Sequence, residues 1–157
     1  MTNNIEVVAC DFANEMHREA LVRLMNEYIT DEMGGGMPYH DEQKRELVKG
    51  LEDHPSRLVL FAVAGNDFIG LVNCFVNFGT FSVRPFVNIH DVIVSRPWRN
   101  KGVGRVMLER IIDESRKLGC AKVTLEVRED NENAKHLYDS LGFHDAHPRQ
   151  YYWTKHL

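Results

Sequence analysis

The stretch from Val92 to Arg105 constrains the fold more than any other part of the chain. It opens on a β-branched run, Val92-Ile93-Val94, and leads into an amphipathic segment whose apolar positions Val103, Val106, Met107 and Ile111 recur at helical spacing. The residues between them read as a strand–loop–helix junction. From Arg96 to Arg105 there are four cations, no acid, and two glycines spaced Gly-x-Gly where the helix begins. A helix N-terminus presents backbone N–H groups without intrahelical partners and carries a partial positive charge, so it receives phosphate readily. Glycine lets the main chain approach a ligand closely, because no Cβ intervenes. The junction is suited to hold a pyrophosphate.

Elements on either side give it a setting. Ile5 to Ala9 predicts a strand, and Asp11 or Asn14 can cap the helix that follows, with Met16, Ala20, Leu24 and Tyr28 on one face. Gly34-Gly35-Gly36-Met37-Pro38 is a break, either a substrate-gating loop or a solvated connection. Asp41 can cap a second helix to about Glu52. Arg57 to Ala64 and Phe68 to Val76 read as strands joined at Gly65-Asn66-Asp67, a hairpin turn by composition. A loop from Gly79 to Pro85 precedes a third long strand, Phe86 to Val94. The helix opening at Gly102 ends at Gly119, Ala121 to Val127 is a strand, and Asn131 to Ser140 is a short helix stopped by Gly142. Phe143 onward, with Tyr151-Tyr152-Trp153, predicts terminal strand material. The order β-α-α-β-β-β-α-β-α-β contains one βαβ unit, from 86 to 127, whose strands lie parallel with a right-handed crossover. The 57–76 hairpin is antiparallel, so the fold class is α/β with a central mixed sheet, and 1–157 reads as one domain.

Composition narrows the classes of function. Net charge is −4, which opposes bulk attraction to nucleic acid and makes the cationic junction a local feature. No apolar run approaches the roughly 18 residues a membrane span requires, and the N-terminus lacks a signal-peptide pattern. The three cysteines, Cys10, Cys74 and Cys120, are widely spaced and fit buried thiols in a reducing, cytoplasmic compartment. His144-Asp145-Ala146-His147 matches no zinc spacing, and no metal is expected.

Two other readings of Gly-x-Gly fail on inspection. A dinucleotide fingerprint needs a third glycine at position 107, which is Met, and an NTPase phosphate loop needs Gly-Lys-Ser/Thr. Arg99-x-x-Gly102-x-Gly104 after a β-branched strand instead resembles the acyl-CoA-binding motif of the GNAT N-acetyltransferases. Leu125-Glu126-Val127-Arg128-x-x-Asn131-x-x-Ala134-x-x-Leu137-Tyr138-x-x-x-Gly142-Phe143 resembles that family's second signature. The resemblance covers essentially the whole chain and is strongest from Asn88 to Phe143.

The resemblance implies a sheet whose parallel strands splay apart, so that pantetheine enters as an added strand along Val92, Ile93 and Val94. It also implies that the N–H groups of Asn100, Lys101, Gly102, Val103, Gly104 and Arg105, with Arg99, cradle the pyrophosphate of acetyl-CoA. Asn131, Asn133, Ala134 and Tyr138 complete the implied cofactor-binding set. Asn100 stands where the family often has glycine; asparagine tolerates positive φ better than most residues.

Acetyl transfer to an amine needs a neutral nucleophile, donors for the tetrahedral oxygen and a proton for the departing thiolate. A backbone N–H near Val92 is the expected oxyanion donor. Tyr138 is the candidate acid, since a phenol's reference pKa of about 10 lies above a thiol's 8.5 or so. The alternative role for Tyr138 is core packing beside Leu137 and Leu141. For the base, His90 aligns with a position that is acidic in diamine acetyltransferases. Strand alternation sends Asp91 to the opposite face, where it can bind a substrate cation or neighbouring backbone. Glu126, on the adjacent strand, is a third candidate. The resemblance thus implies an enzyme acetylating a primary amine, of a small molecule or of a protein N-terminus or lysine, by direct attack in a ternary complex. A non-catalytic acyl-CoA sensor or interaction module is the competing class. Dimers are common in the family, and the Tyr151-Tyr152-Trp153 tail is a candidate homodimer contact.

Overall fold

The computed structural model describes residues 4–157, which fall into two compact units, the first ending at Glu126 and the second running from Val127 to Leu157.

The first unit is built on β1 (Ile5–Ala9), α1 (Glu15–Ile29), α2 (Asp41–Asp53), β2 (Arg57–Ala64), β3 (Asp67–Gly79), β4 (Arg84–Val94), a short 3-10 turn (Arg96–Trp98), α3 (Val103–Lys117) and β5 (Val123–Leu125). The strands form one sheet in the order β1-β2-β3-β4-β5, antiparallel except for the parallel β4–β5 pair that α3 connects. The mixed sheet and its one parallel crossover are as the sequence implied.

Central strands are covered on both faces, which is why β3 reads as an unbroken apolar run from Ile69 to Val72 rather than an alternation. One face packs on α1 and α2 through Leu21, Leu24, Met25, Val48 and Leu51, which meet Val59, Phe61, Leu71 and Ile93. The other faces α3: a Cβ placed on Gly70 would lie 3.0 Å from the Met107 side chain. Val103, Met107, Leu108 and Ile111 of α3 are all fully buried.

Local chemistry sets the element ends. Asn14 caps α1 by accepting from Met16 N at 2.9 Å. His40, not Asp41, caps α2: its Nδ1 accepts from Gln43 N while the Gln43 side chain accepts from His40 N, so the chain uses a reciprocal box one residue earlier. The β3–β4 hairpin is longer than the sequence suggested, leaving only residues 80–83 as loop, with Phe81 and Val83 exposed at its tip. Conversely β5 is three residues long, where 121–127 had been expected.

The second unit holds α4 (Glu132–Ser140), capped by Asn131, and closed by Gly142 at φ +89°. Residues 143–157 form no strand, correcting the expected terminal element. A strand exists only with a hydrogen-bonding partner, and the sheet has none beyond β5 among the described residues. Tyr151, Tyr152 and Trp153 are exposed.

Candidate active site

The β4–β5 pairing is short, and that brevity defines the site. Only Val87–Val123, Asn88–Thr124 and Ile89–Leu125 are matched, yet β4 continues to Val94. Its last five residues therefore outrun the partner strand. On the β3 side the register slips by one residue at the same place: Cys74 faces Ile89 while Asn73 faces Asp91. His90 is the extra residue of a β-bulge, a feature that bends a strand and re-aims its side chains.

The slip corrects the expectation of strict alternation at His90 and Asp91. Residues directly paired across an antiparallel ladder share a face. Asp91 thus points with Asn73, and Ile93 with Leu71, onto the α1–α2 face. Ile89 pairs with Cys74 and points toward α3 instead. His90 is exposed, its ring edge-on to Phe75 at 5.6 Å. Glu126 lies one residue past the end of β5 and is exposed, so it is not a strand residue as expected.

Beyond Val94 the chain makes the turn. Asn100 (φ +59°) and Gly102 (φ +82°) both adopt the left-handed conformation, which asparagine tolerates and glycine favours. Gly102 is the N-cap of α3 and offers no side-chain acceptor, so the first-turn donors have no cap of the kind Asn14 provides for α1. A Cβ on Gly102 would meet nothing within 4 Å; space lies open there. Val103 is buried, so only its main chain can serve a ligand.

The cations of the turn are not all turned outward. Asp31, two residues past α1, accepts from Arg99 at 2.9 Å and from Arg96 Nε at 3.3 Å, and Arg99 Nε also donates to Val94 O at 3.0 Å. Glu27 accepts from Arg96 N at 2.8 Å and from the Ser95 hydroxyl at 3.0 Å. These contacts hold the Asp31 carboxyl below its ordinary range, chiefly through the Arg99 hydrogen bond. Lys101 lies over the Trp98 ring at 5.3 Å, and Arg105 pairs with Glu109 at 3.8 Å. A turn with four cations and no acid in sequence is thus cross-braced by two acids, Glu27 on α1 and Asp31 two residues past its end.

A second group lies on the α1–α2 face. Asn73, fully buried in β3, donates from Nδ2 to Asp91 Oδ2 at 3.1 Å, while its Oδ1 has no partner among the described residues. Burial pushes the Asp91 carboxyl up, and the Asn73 hydrogen bond and nearby His90 only partly offset this. Tyr39, from the segment between α1 and α2, is close enough that Asp91 adds to the burial that raises its phenol. Asn88 donates to Thr124 at 3.1 Å on the same face.

In the second unit, Asn131 Oδ1 accepts from Ala134 N at 3.2 Å, so these two residues are engaged with each other at the start of α4. Asn133 is exposed, and Tyr138 is half-buried with its ring 6.0 Å from that of Phe143.

Residues 20–143 match the Acetyltransferase (GNAT) family, and the chain belongs to it. It is 42% identical over 65 residues to the ribosomal protein bS18-alanine N-acetyltransferase of Escherichia coli K12, a match covering 41% of this chain and 44% of that protein. Over 113 residues it is 28% identical to an L-ornithine N5-acetyltransferase of Arabidopsis thaliana, covering 66% of this chain and 50% of the relative. The chain thus spans half or less of the length of both relatives. The fold is shared with a crystal structure of a probable acetyltransferase, at TM-score 0.82, 19% identity and 98% coverage of each chain.

Proposed function

We propose that the chain is an acetyl-CoA-dependent N-acetyltransferase that acetylates a primary amine, chiefly of a small molecule, by direct attack in a ternary complex. The observation carrying this reading is that β4 outruns β5 by five residues and then turns into an uncapped helix N-terminus. An edge of main chain at Val92, Ile93 and Val94 suits the amides of pantetheine, by strand addition. The turn from Arg99 to Arg105 suits the pyrophosphate. Val92 N–H is the oxyanion donor in this scheme, and Tyr138 returns a proton to the departing thiolate.

Relatives are named for acetylating L-ornithine, streptothricin and an alanine of ribosomal protein bS18, so the test uses acceptors of each kind. Wild-type protein is assayed for free thiol with acetyl-CoA and L-ornithine, streptothricin, or a peptide beginning with alanine. At least one acceptor turns over, and Tyr138→Phe lowers its kcat by about 10²-fold or more while acetyl-CoA affinity in calorimetry stays within threefold. Tight acetyl-CoA binding with no transfer to any amine points instead to a sensor.

A further inference from the structure

Between α1, the β2–β3 turn and the 3-10 turn lies a groove of about 570 Å3, within the size range of small-molecule sites. None of the residues assigned above to transfer or to the pyrophosphate lines it. Its origin is in α1. Met16, Glu19, Ala20 and Arg23 recur at helical spacing on one stripe, and the small Ala20 leaves the hollow. Ala20 and Ile69, 5% and 1% exposed, form the floor, with Met16 and the half-buried Trp98 as apolar sides.

Charge gives the groove a preference. Glu19 comes from α1 and Asp67 from the start of β3; both are exposed, and neither carboxylate has a hydrogen-bond or ion-pair partner among the described residues. Arg23 stands four residues after Glu19, the spacing of a helical ion pair, yet its Nη2 donates to Phe68 O at 2.7 Å instead. It is the only cation lining the groove among the described residues, so two free carboxylates face one engaged guanidinium. Trp98 adds a ring of the kind on which ammonium groups stack, as Lys101 Nζ does at 5.3 Å. Lys101 itself does not line the groove.

We infer that this groove is an effector site for a small primary ammonium with an apolar body, held between Glu19 and Asp67 with its body on Met16 and Trp98, and that its occupant tightens binding at the donor turn. The inference rests on the acetyltransferase reading for what that turn binds. Coupling follows from the chain itself. Ser95 N donates to Ile69 O and Trp98 N to Ser95 O, each at 2.9 Å, and Trp98 leads directly into the turn from Arg99 to Arg105. An occupant packed on Ile69 and Trp98 favours this arrangement, and any second ligand that prefers the same arrangement then binds more tightly. Acetylation turns an ammonium into a neutral amide, which loses the charge and two of three N–H donors. The site therefore distinguishes unreacted amine from product.

Trp98 is its own reporter. The chain has two tryptophans, Trp98 and Trp153, so Trp153→Phe leaves Trp98 as the only emitter. Phenethylamine gives a saturable change in Trp98 emission below about 10 mM. Neither 2-phenylethanol, the same body without the charge, nor N-acetylphenethylamine does. Glu19→Gln combined with Asp67→Asn changes two exposed side chains that hold nothing in the fold; it leaves the melting curve as it was and weakens phenethylamine by about fivefold or more. Coenzyme A, which has no acetyl group to transfer, binds about fivefold more tightly in calorimetry when phenethylamine is saturating. By reciprocity it tightens phenethylamine by the same factor, and both effects vanish in the double variant, whose binding of coenzyme A alone matches wild type. No saturable Trp98 change, an equal response to 2-phenylethanol, a response kept in the double variant, or a coenzyme A affinity that phenethylamine leaves unmoved overturns the inference while the acetyltransferase reading stands. A protein that binds no coenzyme A overturns that reading and the coupling together, and the Trp98 titration alone then decides whether the groove takes the amine.

Discussion

Replacing Gly34 by alanine tests the turn that holds Asp31 in place. A Cβ on Gly34 would lie 2.1 Å from Tyr28 O, 2.7 Å from Ile29 O and 2.8 Å from Ile29 Cα. All three are main chain of the last turn of α1, so no side chain can rotate away. The turn must open instead, and it is closed by Gly34 N and Gly35 N donating to Asp31 O (3.0 and 2.9 Å) and Gly36 N to Ile29 O (2.7 Å). At roughly 0.5–1.5 kcal/mol net each, losing these three bonds costs about 1.5–4.5 kcal/mol. For a chain of this size each kcal/mol moves Tm by about 2–4 °C, so Gly34→Ala melts about 3–18 °C lower in a thermal scan followed by circular dichroism. Two controls use the same substitution. Gly35→Ala has open space but φ of +65°, and loses about 1 kcal/mol. Gly50→Ala, exposed within α2 with open space around it, gains about 0.5–1 kcal/mol from helix propensity. A Gly34→Ala protein that melts with Gly35→Ala would refute the reasoning, because the turn would then have room that the geometry denies it. The same comparison decides the character of the glycine run: a floppy gate tolerates both changes alike.

Asp31→Asn removes the carboxylate that braces Arg96 and Arg99, and at pH 7 costs about 1–3 kcal/mol. Because the folded pKa of Asp31 is lowered, its contribution is present above the ordinary carboxylate pKa of about 4 and is lost as pH falls through the lower folded value. The melting gap between wild type and Asp31→Asn is therefore full at pH 7 and closes as pH falls below the ordinary carboxylate value; a gap independent of pH removes Asp31 from this role. The thiols are expected to be inert in the folded state: burial raises Cys10 to about 11, pushes Cys74 higher still, and raises Cys120. Iodoacetamide labelling at pH 7.5 follows the order Cys120, Cys10, Cys74, and rapid modification of Cys74 would mean that the sheet opens.

Much of the fold was legible because its signals are local. The β2 bounds follow from an apolar run ended by Gly65, and α3 from a 3.6-residue apolar period ended by Gly119, which takes φ of +71° as a helix stop does. The turn from Arg96 to Arg105 was legible for the same reason, including the left-handed Asn100. What stayed hidden depends on partners distant in sequence. Glu27 and Asp31 carry no mark that they brace a turn some 68 residues later. The end of β5 at Leu125 and the missing strand after Phe143 depend on pairing, not on propensity. Asn73 did leave a trace, a lone amide in the otherwise apolar stretch from Phe68 to Val76, and a polar residue there always demands a partner.

The bulge at His90 joins these hidden features into one cause. Val87, Ile89, Asp91 and Ile93 occupy alternate positions, and an unbroken strand would point all four to one face. Val87 and Ile89 pair with Val76 and Cys74, which share the parity of Gly70 and so look toward Met107 of α3. Without the extra residue Asp91 would be driven into that apolar layer with Leu108 and Ile111, where a carboxylate cannot stay ionised. With it, Asp91 meets Asn73 on the opposite face, Ile93 fills the α1–α2 core, and pairing with β5 ends at the very residue before the slip. One inserted position thus frees the β4 edge on which the donor substrate is proposed to lie and turns the acid onto the α1–α2 face.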